Sequence, residues 1–250
     1  MTEYTDFHAP EGLRTRGTIV VLPGRGETRA TFTRLGRRLA ADAYRVRVLD
    51  PEDPTGPLDA LAARLTDAVT GTAADAGVAQ PVVLVGADTG AAALAALLGG
   101  DTVPAADRPH AVVLAGLPGR TATAAGTWED ELDVRTSCPV HRGTLTDDPE
   151  VRRGSLDTPV PEGLLATAYG GGTDVPALFL IGDADPLADR DALARTAKSW
   201  SRARLSVVRG AHHDVLNDLQ HRSVAAEIVT FLETVRGGLV PVIAVESSAW

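Results

Sequence analysis

The feature that most limits what this chain can fold into is an alternation of short apolar runs with alanine-rich helical patterns. The runs lie at 18–22 (TIVVL), 45–49 (RVRVL), 82–85 (VVLV), 111–115 (AVVLA), 177–181 (ALFLI) and 205–208 (LSVV). Each is nearly continuous in apolar residues, the pattern of strands covered on both faces. Helical patterns fill the intervals at about 30–41, 57–76, 89–98, 189–199 and 221–235. Strands separated by helices predict a doubly wound, mostly parallel α/β sheet. The stretch 119–173 breaks the rhythm, with no clear strand and frequent Gly, Pro, Thr and charge. A plain loop of that length does not suit a compact domain. It is expected to be an inserted cap of short helices, with 1–118 and 174–250 as the core. Residues 237–250 read as a tail.

Aromatic residues are only 4% of the chain, so its core must be built from Ala, Val and Leu. The formal net charge of −9 opposes binding to a phosphate backbone. Cys138 is the single cysteine, which excludes an intramolecular disulfide framework and a cysteine metal cluster. The first ten residues are acidic and lack the apolar core of a signal peptide. A cytoplasmic location is the expectation from both features. The most apolar stretch, 81–98, carries Asp88 at mid-span, which argues against a membrane helix. No P-loop and no G-x-G-x-x-G follows the first strand, so no nucleotide cofactor is expected. The expected partner is a small-molecule substrate; the oligomeric state is open.

Four strand ends carry the chemistry. The run 82–85 leads into Gly86-Ala87-Asp88-Thr89-Gly90 and a helix. Glycine on both sides of a central residue lets the chain turn sharply and leaves that side chain exposed above the sheet. By itself such a turn also suits an aspartate that caps a helix. Two later strands end in comparable turns: Gly182-Asp183-Ala184-Asp185-Pro186 and Gly210-Ala211-His212-His213-Asp214. The chain order is thus elbow, acid, histidine. The first run ends in Leu22-Pro23-Gly24-Arg25-Gly26-Glu27.

In these four turns the chain resembles the α/β-hydrolase superfamily over about 15–236. Gly24-Arg25-Gly26-Glu27 is similar to the family's H-G-x-G-E turn, with Pro23 in place of the histidine. His213-Asp214-Val215-Leu216-Asn217-Asp218 is similar to the H-E-x-L-N-E run of its lysophospholipase and monoacylglycerol-lipase branch. The insertion stands where that branch carries a lid. The resemblance implies Asp88 at the nucleophile, His213 at the base and Asp185 at the residue that orients the histidine. His212 and Asp183 are the alternatives. It implies the backbone N–H groups of Arg25 and Thr89 at the oxyanion hole.

Aspartate in place of serine changes the chemistry. A carboxylate attacking an acyl carbon would leave an anhydride, whereas attack on an sp3 carbon leaves an ordinary ester that a histidine-activated water can cleave. Epoxide hydrolases and haloalkane dehalogenases resemble the chain at this residue, which implies an epoxide- or halide-type substrate. Other motifs differ: Thr89 stands where the dehalogenases carry tryptophan, and Tyr169 is alone where the epoxide branch uses a pair of cap tyrosines. Two further classes stay open. Asp88 and His213 can act as acid and base in a cofactor-free, non-hydrolytic enzyme of specialised metabolism, catalysing elimination, cyclisation or C–C bond chemistry. The fold can also serve as a non-catalytic binding protein.

Within the insertion, Trp128 and Tyr169 are the candidates to line a substrate pocket. Cys138 and His141 have a metal-like spacing but lack two further ligands nearby, so no metal is expected. Glu131, Arg135, His141 and Arg142 are expected on a solvated or salt-bridged cap surface, as a cluster that holds the cap closed, or in contact with substrate.

Overall fold

A computed structural model describes residues 4–50, 56–74, 77–100, 103–104, 107–119 and 126–248. Its strands are β1 (Tyr4–Phe7), β2 (Thr18–Leu22), β3 (Arg45–Leu49), β4 (Val82–Ala87), β5 (Ala111–Ala115), β6 (Ala177–Gly182) and β7 (Ala203–Val208). Its α-helices are α1 (Thr33–Ala41), α2 (Leu58–Thr70), α3 (Thr89–Gly99), α4 (Trp128–Arg135), α5 (Pro139–Asp147), α6 (Glu162–Gly170), α7 (Arg190–Ser199) and α8 (His221–Arg236). The strands form one sheet in the order β1-β3-β2-β4-β5-β6-β7. Every pairing is parallel except β1 with β3.

The alternation of side chains along each strand divides the core in two. Val20 and Leu22 of β2 join Leu61, Leu94, Leu165 and Leu193 on the face covered by α2, α3, α6 and α7. Ile19 and Val21 face the other way, into a cluster with Leu35, Leu39, Ile228 and Leu232 of α1 and α8. Helix α3 is buried from Thr89 to Leu98 because alanine lets it lie close to both the sheet and α6. Gly99 and Gly171 meet there, and a Cβ on Gly99 would stand 3.0 Å from the Gly171 Cα.

Two features differ from the sequence expectation. Strand β1, Tyr-Thr-Asp-Phe, was not legible because its sheet partner is polar: Asp6 lies opposite Arg47 in register and pairs with its Nε and Nη2, each at 2.7 Å. The stretch 119–173 is also not uniform. Leu165 and Ala168 of α6 belong to the main core, so α6 completes the layer over α3. Helices α4 and α5 instead carry a small cluster of their own, Leu132, Leu145 and Val151 with Trp128 against it. Residues 120–125 of the expected cap lie outside the described residues.

Strand β2 continues to β3 on one side, and the chain then returns through β4 on the other side of β2. The carboxyl ends of β2 and β4 therefore flank a topological switch point, where open α/β sheets form their crevice.

Candidate active site

The turn after β4 has the geometry its glycines foreshadow. Asp88 adopts φ 46° and ψ −118°, a conformation that costs a non-glycine residue about 1–3 kcal/mol. The flanking glycines are required by close approach. A Cβ on Gly86 would meet the Ala91 nitrogen at 2.6 Å, and one on Gly90 would meet the Leu22 carbonyl oxygen at 2.6 Å. Strand β4, helix α3 and the end of β2 can pack this tightly only without those side chains. The Asp88 N–H is donated to the Ala115 carbonyl at 3.0 Å, so the carboxylate projects above the sheet.

His213 lies between two carboxylates. Its Nδ1 is 2.9 Å from Asp185 Oδ2 and its Nε2 is 3.1 Å from Asp88 Oδ1, all three side chains being buried. Burial disfavours the imidazolium, but Asp185 and Asp88 outweigh it and push His213 up to about 10. Asp185 is fixed in turn by the Leu187 N–H, which donates to its Oδ1 at 2.8 Å. The alternatives are engaged elsewhere. His212 Nδ1 is 2.9 Å from Asp218 Oδ2, and Asp183 accepts the Gly210 N–H in an exposed turn.

Both oxygens of Asp88 are also met by Arg25. The Arg25 N–H and Nε each donate to Oδ2 at 2.8 Å, and Nη2 donates to Oδ1 at 2.8 Å. Burial would raise the Asp88 carboxyl, but the Arg25 guanidinium, with His213, holds it well below the usual carboxylate range. The expected oxyanion donor Arg25 thus does converge on the elbow, where its N–H is occupied by Asp88 itself. Thr89 follows as the first residue of α3, with its hydroxyl buried and unpartnered among the described residues.

A second buried network joins α4 and α5 to this site. Arg135 donates to Glu131 at 2.9 Å, to the Arg25 carbonyl at 2.7 Å and to Ser155 at 2.9 Å, and lies 3.4 Å from Asp214. His141 Nε2 is 2.9 Å from Asp214 Oδ2. The His213 and Asp214 N–H groups donate to the Val134 and Arg135 carbonyls, so the end of α4 also braces the histidine loop. Burial and the Asp214 charge push Glu27 up to about 8. Glu27, His141 and Asp214 bring ligand atoms within 4.8 Å of one another. The Gly24 N–H donates to Glu27 Oε2, His141 Nε2 pairs with Asp214, and the Arg135 cation lies beside them. Of the arrangements expected for these residues, a charged cluster matches this network better than a solvated surface does. Glu131, Arg135 and His141 are buried, and only Arg142 lies at the surface, paired with Asp133 and Glu129. The Glu27 and Asp214 positions were visible only as letters of the two family runs.

The candidate pocket residues are not brought to Asp88. Trp128 packs on the α4–α5 cluster beneath Arg153, and Tyr169 packs on the main core with its hydroxyl donated to the Pro118 carbonyl at 3.1 Å. Neither is among the residues that wall the cavity at Asp88. The space there is a cavity of only about 10 Å³, walled by Glu27, Asp88, His213, Asp214 and Asn217 among others. The Asn217 side-chain amide is buried with no partner among the described residues. Cys138 is buried at the start of α5, where its sulfur accepts from Arg34.

No helix among the described residues is long and apolar enough to cross a membrane. No family model matches the chain, and no curated protein matches it in sequence. Solved structures do match over nearly its whole length. A monoacylglycerol lipase of Paleococcus ferrophilus shares 16% identity, covers 94% of this chain and 99% of its own, and superposes with a TM-score of 0.71. A soluble variant of monoglyceride lipase from Saccharomyces cerevisiae shares 14% identity over 93% of this chain and 91% of its own, with a TM-score of 0.73. An enol-lactonase from Burkholderia xenovorans shares 18% identity over 93% and 96%, with a TM-score of 0.63. The chain therefore has the α/β-hydrolase fold, with Asp88 at the turn between β4 and α3.

Proposed function

We propose that this protein is an enzyme that hydrolyses a small organic molecule at an sp3 carbon bearing a halide- or epoxide-type electrophile. Asp88 is the nucleophile, His213 the base of the second step and Asp185 the residue that orients it. One observation carries the reading: a buried Asp88 carboxylate at the strand–helix turn has Oδ2 on the Arg25 N–H and Oδ1 facing His213 Nε2.

In the first step an Asp88 oxygen attacks the carbon, and the electron pair of the breaking bond leaves with the departing group. In the second, His213 takes a proton from water, and the water oxygen adds to the Asp88 carboxyl carbon. The Arg25 N–H then faces the developing oxyanion on Oδ2. Collapse expels the alcohol, which receives the proton from His213. The order is consistent with the electrostatics. Asp88 and Asp185 keep His213 charged at rest, and esterification removes one of these two negative charges, which moves the imidazole toward the neutral base the second step needs. The cavity at Asp88 and His213 has about the volume one water occupies. The acid–base alternative uses the same two side chains and differs in forming no bond to Asp88.

The test is single turnover in oxygen-18 water with a panel of alkyl halides and epoxides, followed by mass analysis of the peptide containing Asp88. Label in Asp88 is the expected result. Turnover without label overturns the covalent step. A second reading, a non-catalytic binding protein, is favoured by one observation: Arg25 fills the space over Asp88. Absence of turnover across the panel would support it.

A further inference from the structure

The Arg25 side chain has no part in the two hydrolytic steps, yet its guanidinium lies against both oxygens of the nucleophile. It is 8% exposed. Nε and Nη2 are held by Asp88, and Nη1 donates to the Leu156 carbonyl at 3.2 Å and the Thr158 carbonyl at 2.7 Å. Asp88 is the only anion in that set of contacts. In the aspartyl-ester reading, on which the role of this side chain depends, Asp88 becomes a neutral ester. A buried guanidinium that loses its counter-charge is strongly unfavourable. The same event makes a new anion: carboxylate plus R–X gives ester plus X⁻, with the bonding pair of the C–X bond leaving on X. One negative charge disappears from Asp88 as another appears on the departing group.

We propose that Arg25 is the leaving-group site, its guanidinium passing from Asp88 to the departing anion, and that the substrate carries a halide or a small oxyanion as that group. The carbonyls of Leu156 and Thr158 keep Nη1 anchored while Nε and Nη2 change partner. Hydrolysis of the ester restores the Asp88 carboxylate, which reclaims the guanidinium and releases the anion. This role falls to Arg25 in a chain with threonine at residue 89.

Asp88→Asn imitates the uncharged ester and tests this without any turnover. Binding of bromide, and separately of formate, is measured by calorimetry and by the shift in Tm at constant ionic strength. D88N should bind bromide saturably, about tenfold or more tighter than either the wild type or the R25M/D88N double variant. Equal binding by all three overturns the proposal. Formate without bromide binding would overturn the halide and leave an oxyanion as the leaving group. D88S removes the same charge with a smaller side chain and replaces D88N where that variant does not fold. Should neither fold alone, folding restored by bromide only when Arg25 is present supports the site, and no restoration overturns it. The two claims fail separately: label in Asp88 without anion binding removes the role of Arg25, and anion binding without label removes the ester.

Discussion

At the residue scale, His213 shows how one group's surroundings set its behaviour. Burial alone would neutralise it, and two carboxylates at 2.9 and 3.1 Å reverse that. Because the folded-state value is raised, its stabilising contribution is complete below the ordinary histidine range and is lost as pH rises through about 10. The stability difference between wild type and H213Q, measured by urea unfolding, should therefore shrink on going above pH 10. A His213 imidazole resonance titrating near 10 should move to lower pH in D88N, which removes one of the two charges. A resonance unmoved by D88N would mean that Asp88 does not act on it. Asp88 runs the other way: its lowered value gives stability above the usual carboxylate range that is lost as pH falls. These three residues were legible because each follows a strand end, where a turn fixes the direction of a short side chain. The pairing of Arg25 with Asp88 was not. The sequence places its backbone in the first turn, but a long side chain has many rotamers and its partner lies 63 residues away.

At the scale of elements, the apolar runs marked strand positions well because they are buried on both faces. Strand β1 escaped because its burial depends on an ion pair between Asp6 and Arg47 rather than on apolar side chains. For helix α4 the choice between a solvated surface and a closed cluster stayed open for a related reason. Trp-Glu-Asp-Glu-Leu-Asp-Val-Arg looks like a solvated helix, yet Glu131 and Arg135, one turn apart, face inward and pair at 2.9 Å, each 1% exposed. The sequence shows the charges but not which face of the helix is covered. Arg135→Met should cost about 3–5 kcal/mol in urea unfolding, because Glu131 and Asp214 are left buried without their cation. Arg142→Ala, whose partners Glu129 and Asp133 are each 74% exposed, should cost about 1 kcal/mol or less. Similar losses for both would mean that the α4 network is solvated. Gly86→Ala should be far more damaging than its single methyl suggests, since backbone atoms lie 2.6 Å from the added carbon.

At the scale of the whole molecule, a core of Ala, Val and Leu over a parallel sheet brings four strand ends together at one edge. The ends of β2, β4 and β6 and the turn after β7 deliver Arg25, Asp88, Asp185 and His213. The insertion then reaches the same point twice, through the Arg135 network and through the carbonyls that hold Arg25. Sequence reasoning located the edge but not the closure over it, because closure depends on side chains that meet from distant segments. Whether this edge performs covalent chemistry is tested most directly by trapping the intermediate. In the proposed mechanism H213Q lacks the base of the second step, so an alkyl group transferred to Asp88 would have no efficient route off. Incubation with a panel of small alkyl bromides should add the mass of the alkyl group to the peptide containing Asp88. Bromide release by the wild type, with that peptide unmodified in H213Q, would contradict Asp88 as the nucleophile.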